Sequence, residues 1–335
     1  MAGLIAGHAR FTWAAPAGRP LVKPPRLREG DLVGLVGPSG VADDAMLQRC
    51  VANLEGFGLR VKPGKHLRAA WGGYAGTIAE RVEDLHAMFA DREVRAVWVA
   101  RGGSGASGLL PHLDYDLIRR NAKIFVGYSD LSALHLAFLA RAGLVSFHGP
   151  VSSSRFSDFS STFLRTVLME GGAGRELLVA DANEAEATEP GQPPFGAIRA
   201  GVATGPLVGG NLSVVSSLVG TPYMPAARGA VMFLEDVGEA PYRIDRMLTQ
   251  LAQAGITRHA AGVALGVFRK CVPPDNEPSL SLAEVIRTQM EALPVPSAYG
   301  LAIGHIPRQV TLPLGIRARF DASARTITLL ESAVA

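Results

Sequence analysis

The sequence predicts an α/β fold with a mostly parallel sheet, helices on both of its faces, and a second domain after it. Three observations carry this. Short apolar runs alternate with helical patterns from Asp31 to Phe147, as in parallel strands joined by crossover helices. Glycine-containing or tight turns follow these runs directly, at Gly37–Gly40, Arg101–Gly105 and Tyr128–Asp130. The composition then changes, because 152–161 is rich in Ser and 181–194 is acidic and contains Pro. Such stretches run over a surface. At 335 residues the chain is long enough for two domains.

Met1 to about Val22 has only short apolar pieces broken by His8, Arg10 and Arg19, and reads as a poorly ordered extension. Structure is expected from Lys23 onward. Asp31–Val36 is a strand stopped by Gly37-Pro38-Ser39-Gly40. Ala45–Phe57 has helical spacing through Met46, Val51, Leu54 and Phe57. Leu59–Val61 is a second strand. Thr77–Phe89 is a helix, with Ile78, Val82, Leu85 and Phe89 three and four residues apart. Val94–Ala100 and Lys123–Gly127 are buried strands, and a helix follows the latter to about Arg141. Val145–Phe147 is a short strand.

The expected domains are residues 23–150, a connection over 151–203, and a C-terminal domain over 204–335. The last contains a helix at Leu212–Val219, strands at Val231–Glu235 and Gly262–Phe268, and a helix at Leu282–Leu293. Arg317–Phe320 and Thr326–Leu330 form a closing hairpin.

Composition excludes several classes. The net charge is only +3 with scattered basic residues, so no nucleic-acid footprint exists. No run is long enough to span a membrane. Two distant cysteines, Cys50 and Cys271, form neither a disulfide framework nor a zinc pattern. The Gly34–Gly40 spacing fits neither a dinucleotide fingerprint nor a P-loop, leaving a tight strand-to-helix turn. A cytoplasmic protein without metal or cofactor is expected.

Chemistry concentrates at the strand ends. Gly127-Tyr128-Ser129-Asp130 ends a strand and starts a helix. This is the layout of a nucleophile elbow, which lifts one hydroxyl beside unpaired helix N–H groups. A helix N-cap explains the same serine. Arg101–Gly105 is either an oxyanion or carboxylate-binding loop, or a plain turn. Glu235, Asp236 and Glu239 follow an apolar strand, where a carboxylate can orient a histidine. His148 and His305 both lie beside glycine at strand ends, and sequence order does not choose between them.

Together these pieces resemble the serine LD-carboxypeptidases, also called murein tetrapeptide carboxypeptidases. The matching stretches are Lys23–Leu27, Gly37–Gly40, Ala100–Gly105 with Leu109–Pro111, Gly127–His135, and Phe147–Pro150. They continue with Gly209–Ser213, Gly220–Tyr223, Leu234–Leu248, Gly304-His305 and Thr311–Gly315, all in the family's order. The resemblance implies a flavodoxin-like N-terminal domain and a smaller, β-rich mixed α/β C-terminal domain. It implies a triad of Ser129 as nucleophile, Glu235 as orienting acid and His305 as base, in a cleft between the domains. Backbone N–H groups of Asp130 and of Gly102 or Gly103 would hold the oxyanion. Arg101 and Arg243 are placed by charge to pair with a substrate carboxylate. The implied substrate is a murein tetrapeptide, from which D-alanine is released, and the implied assembly is a homodimer. Related microcin C self-immunity proteins, which cleave aminoacyl-nucleotide amides, suggest an alternative needing an aromatic stacking surface, for which Phe156 and Phe159 are available. A non-catalytic ligand-binding protein is the remaining alternative, and a missing triad member would mark it.

Overall fold

The computed structural model describes residues 19–178, 191–275 and 277–335. Most of the expected N-terminal extension, residues 1–18, lies outside the described residues, as does 181–190 of the acidic stretch. Residues 19–22 are tied down: Val22 bridges to Leu144, and Arg19 pairs with Asp116.

The first sheet contains β1 (Leu32–Val36), β2 (Arg60–Pro63), β3 (Val94–Val99), β4 (Ile124–Gly127) and β5 (Phe147–His148). All five are parallel, in spatial order 2-1-3-4-5. This is the flavodoxin-like order, whose ligand crevice opens where the order reverses, between β1 and β3. The crossovers are α1 (Asp44–Gly56), α2 (Ile78–Ala90), α3 (Tyr115–Arg120) and α4 (Ser132–Ala137). Asp43 caps α1 by accepting from the Met46 N–H, and Thr77 and Glu80 close a capping box on α2. Leu85 and Phe89 of α2 and Val97, Trp98 and Val99 of β3 are fully buried. Each such side chain contributes about 1.5–3 kcal/mol.

The expected connection over 151–203 is not a simple surface run. It contains α5 (Asp158–Leu168), β6 (Glu176–Leu178) and β7 (Gly196–Arg199). Ser157 caps α5, and Leu164, Val167 and Leu168 bury its apolar face.

The second sheet has eight strands. After β6 and β7 come β8 (Val202–Asn211), α6 (Leu212–Ser217), β9 (Val231–Glu235), α7 (Pro241–Gln253) and β10 (Gly262–Leu265). Then follow α8 (Leu282–Glu291), β11 (Ser297–Tyr299), β12 (Leu312–Pro313), β13 (Arg317–Asp321) and β14 (Thr326–Leu329). The order is 6-14-13-8-9-10-11-7, with a parallel centre from β8 to β11 and antiparallel flanks. The last two strands form the expected hairpin. β12 leaves this sheet and pairs antiparallel with β5, so the second half of the chain completes the first sheet. Among the described residues, no helix is long and apolar enough to cross a membrane.

Candidate active site

At the end of β4 the backbone turns sharply. Ser129 has φ 67°, a left-handed conformation that costs a non-glycine residue about 1–3 kcal/mol. The helix expected to run on to Arg141 is instead a 3₁₀ turn at Ser129–Leu131, then α4, then a π turn at Phe138–Ala142. His135 of α4 braces the turn. One ring nitrogen lies 2.8 Å from the Gly127 carbonyl and the other 2.8 Å from Ser146 Oγ. The carbonyl only accepts, so Nε2–H donates to it and Nδ1 accepts from the serine. Burial pushes the His135 pKa down to about 4, against the pull of the Gly127 bond, so this strut is neutral.

Glu235 ends β9 and is completely buried. Its Oε2 lies 2.7 Å from His305 Nδ1, and His305 Nε2 lies 3.0 Å from Ser129 Oγ. Gly304 makes this approach possible: at φ +110°, an added Cβ would sit 2.6 Å from Glu235 Oε2. The His305 carbonyl accepts from Arg269 Nη1 at 3.1 Å, and the Tyr128 ring packs 4.8 Å from the imidazole. Burial alone would lower the His305 pKa. The Glu235 charge and hydrogen bond outweigh it and hold the pKa above the ordinary histidine value.

The rival residues stand elsewhere. His148 is buried in β5, against Phe233 at 5.2 Å and Tyr128 at 6.0 Å, and its ring nitrogens have no hydrogen-bond partner among the described residues. Glu239 pairs with Arg243 at 3.5 Å. Asp236 points into a separate shell of donors: Asn211 Nδ2, Ser213 N and Oγ, and Val237 N. Burial, then the neighbouring Glu235, raises its pKa to about 6.

Ser129 and His305 open into a cavity of about 350 Å³ that Arg101, Gly102, Gly103 and Tyr128 also line. This lies within the usual range for small-molecule sites. Gly102 passes so close that a Cβ on it would sit 2.9 Å from Ser129 Cβ and 3.0 Å from Oγ. Arg101 lines the cavity, but its Nε and Nη1 also hold the Gly102 and Val41 carbonyls, each at 3.1 Å. Arg243, placed beside it by charge, does not line the cavity; it lies exposed on α7 against Glu239 and Tyr242. Phe156 packs on Phe57 and Trp98, and Phe159 on Phe163. Neither lines the cavity. Sequence reasoning missed Tyr128, Ser153 and Ser154 as cavity walls, although Tyr128 adjoins the elbow serine and the two serines fall in the Ser-rich stretch read as surface. Among the described residues no cluster of His, Cys, Asp or Glu is arranged to hold a metal ion.

Comparison with known proteins gives a consistent result. The family model for the LD-carboxypeptidase N-terminal domain matches residues 33–149, and that for the C-terminal domain matches 204–320. The chain is 38% identical over 307 residues to a "Probable murein peptide carboxypeptidase" of Bacillus subtilis, covering 92% of this chain and 94% of that protein. It is 25% identical to the "Microcin C7 self-immunity protein MccF" of Escherichia coli, covering 93% of this chain and 96% of that protein. The crystal structure of a muramoyltetrapeptide carboxypeptidase from Oxalobacter formigenes superposes with a TM-score of 0.74 at 28% identity, covering 88% of this chain and 97% of that one.

Proposed function

The chain belongs to the LD-carboxypeptidase family, and we propose that it is a serine peptidase releasing the terminal D-alanine of murein tetrapeptides. The observation that carries this reading is the contact chain Glu235–His305–Ser129, at 2.7 and 3.0 Å, opening into the cavity.

His305 Nε2 accepts the Ser129 hydroxyl proton as Oγ attacks the scissile carbonyl. Nδ1–H donates to Glu235, which fixes the tautomer and stabilises the imidazolium that forms. The oxyanion is held by the N–H groups of Asp130 and of Gly102 or Gly103, each donor worth about 3 kcal/mol. His305 then protonates the leaving D-alanine amine, and water repeats the sequence on the acyl-enzyme. Arg101, at the cavity wall, is the candidate partner for the substrate's terminal carboxylate. Recycled cytoplasmic muropeptides are the substrate pool this reading assigns, and a homodimer the assembly.

The aminoacyl-nucleotide alternative requires a ring on which a base can stack. Among the described cavity residues the aromatic rings are Tyr128 and the His305 imidazole, which pack against each other. This favours the peptide substrate. The test is mass spectrometry of the protein incubated with murein tetrapeptide, beside Ser129→Ala. Release of D-alanine that disappears in the variant is expected. Undiminished release by the variant excludes Ser129 as nucleophile. If neither protein releases D-alanine, but the native one cleaves aminoacyl-sulfamoyl nucleosides, the substrate assignment moves to the alternative.

A further inference from the structure

We propose that the Asp130 carboxylate is a positioning residue that fixes the spacing between the two halves of the oxyanion site. This rests on the proposed function, in which the Asp130 N–H and the Gly102–Gly103 loop supply the two donors.

Asp130 is buried, yet it does not line the cavity. Its Oδ2 accepts from Ser39 Oγ at 2.6 Å and from the Ala106 N–H at 2.9 Å. Ser39 belongs to the loop after β1, and Ala106 ends the loop after β3. One carboxylate oxygen therefore joins the loops at the carboxyl ends of β1, β3 and β4. Ala106 also opens the 3₁₀ helix Ala106–His112, whose N-cap, Gly105, offers no side-chain acceptor. Asp130 supplies that acceptor from another strand end, satisfying an N–H that would otherwise be orphaned.

A second buried group clamps two of the same loops. Arg81 Nη1 donates to the Pro38 carbonyl at 3.1 Å and to the Gly105 carbonyl at 3.2 Å. Arg81 and Asp130 attract each other electrostatically. A carboxylate with two donors and a nearby countercharge is tolerated in a protein interior, whereas a bare one is not. The network closes with the Gly40 N–H donating to the Gly102 carbonyl at 3.3 Å.

The geometric consequence is specific. Asp130 carries one oxyanion donor on its own backbone, and its side chain grips the loop that carries the other. Without the grip, the loop can slide relative to Ser129 while the triad contacts persist. Such a loss falls on the transition state, where the oxyanion forms, and little on substrate binding.

The experiment is steady-state D-alanine release from murein tetrapeptide by Asp130→Ala, Asp130→Asn and Ser39→Ala, with thermal unfolding of each. Asp130→Ala is expected to lose roughly 100-fold in kcat with KM nearly unchanged. Asp130→Asn keeps an oxygen able to accept both bonds and recovers kcat to within about 10-fold of the native value. Ser39→Ala removes one donor with little change of shape and loses about 3- to 10-fold in kcat. Native kcat in Asp130→Ala, or equal kcat losses in the Ala and Asn variants, overturns the proposal. If Asp130→Ala does not fold, Ser39→Ala decides, and a native kcat there overturns it. Ser129→Ala runs alongside: activity surviving in that variant sinks the triad reading itself, separately from the role of Asp130.

Discussion

Gly102→Ala tests the site at its tightest point. The added Cβ would lie 2.9 Å from Ser129 Cβ and 3.0 Å from Oγ. Ordinary carbon contacts are about 3.5–4.0 Å, so roughly 0.6 Å must be found. Ser129 has little room to supply it, with its φ at 67° and its hydroxyl 3.0 Å from His305 Nε2. The loop is equally constrained, because Arg101 and Gly40 both hold the Gly102 carbonyl. A misplacement near 1 Å costs on the order of 100-fold in rate. A shift of about half that size predicts a 10- to 100-fold fall in kcat, or about 1.4–2.7 kcal/mol of transition-state stabilisation. Gly102 does not have a positive φ, so alanine brings no backbone strain, and any loss of stability comes from the forced contact alone, about 1–3 kcal/mol. D-alanine release gives kcat and KM, and thermal unfolding gives stability. Gly73→Ala is the control, since its Cβ would meet nothing within 4 Å. A native kcat in Gly102→Ala, or an equal loss in Gly73→Ala, would refute the steric reasoning.

The other predictions follow from the same contacts. His305 must be neutral to take the proton from Ser129, and its pKa is raised, so kcat/KM should climb with pH around a midpoint above about 6.5. Glu235→Gln removes the charge and leaves the burial, so the surviving activity should show a lower midpoint; an unmoved midpoint would exclude His305 as the titrating group. Asp236→Asn should destabilise the fold by about 1–3 kcal/mol in urea unfolding, despite removing a buried charge. Both of its oxygens accept two donors, and an amide nitrogen cannot replace either of them. Arg243→Ala should leave kcat/KM near native. Arg101→Ala should lower it about 10-fold or more by releasing the Gly102 carbonyl. Equal effects of the two substitutions would contradict the placement of Arg243 outside the cavity.

The sequence carries the central strands and α2 because their burial is periodic. Ile78, Val82, Leu85 and Phe89 sit on one side of a helix, and Val97 to Val99 fill a strand buried on both faces. Short edge pieces escape that logic. β12 has two residues, and its partner β5 lies in the other half of the chain. α5 is hidden by its serines, although Ser157 at its cap and the buried Leu164, Val167 and Leu168 are ordinary helix signals. α7 likewise has Pro at its first position and Ile244, Leu248 and Leu251 at helical spacing. Its pattern starts directly after the acidic turn that ends β9, where the carboxylates read as a loop rather than as the approach to a helix. The elbow at Ser129 is local, so sequence can suggest it. The meeting of Glu235 and His305, 70 residues apart, is not local, and the family resemblance supplied it.

That separation bears on how the site is built. Ser129 is set by the first sheet, and Glu235 and His305 by the second, so their geometry is only as exact as the docking of the sheets. The docking is tight where α4 meets the end of β8. Ser132 Oγ accepts from the Asn211 N–H at 2.9 Å, and a Cβ on Gly210 would fall 2.3 Å from the same oxygen. Asn211 in turn donates to Asp236, next to Glu235. A continuous line of hydrogen bonds and covalent bonds thus runs from the helix behind the serine to the strand carrying the acid. β12 adds a covalent return, since the chain passes from His305 into the first sheet within a few residues. Both links hold His305 within reach of Ser129 without a contact from substrate. The proposed triad, divided between two sheets, thus has its contacts in place before substrate arrives, the preorganisation that electrostatic stabilisation of an oxyanion demands.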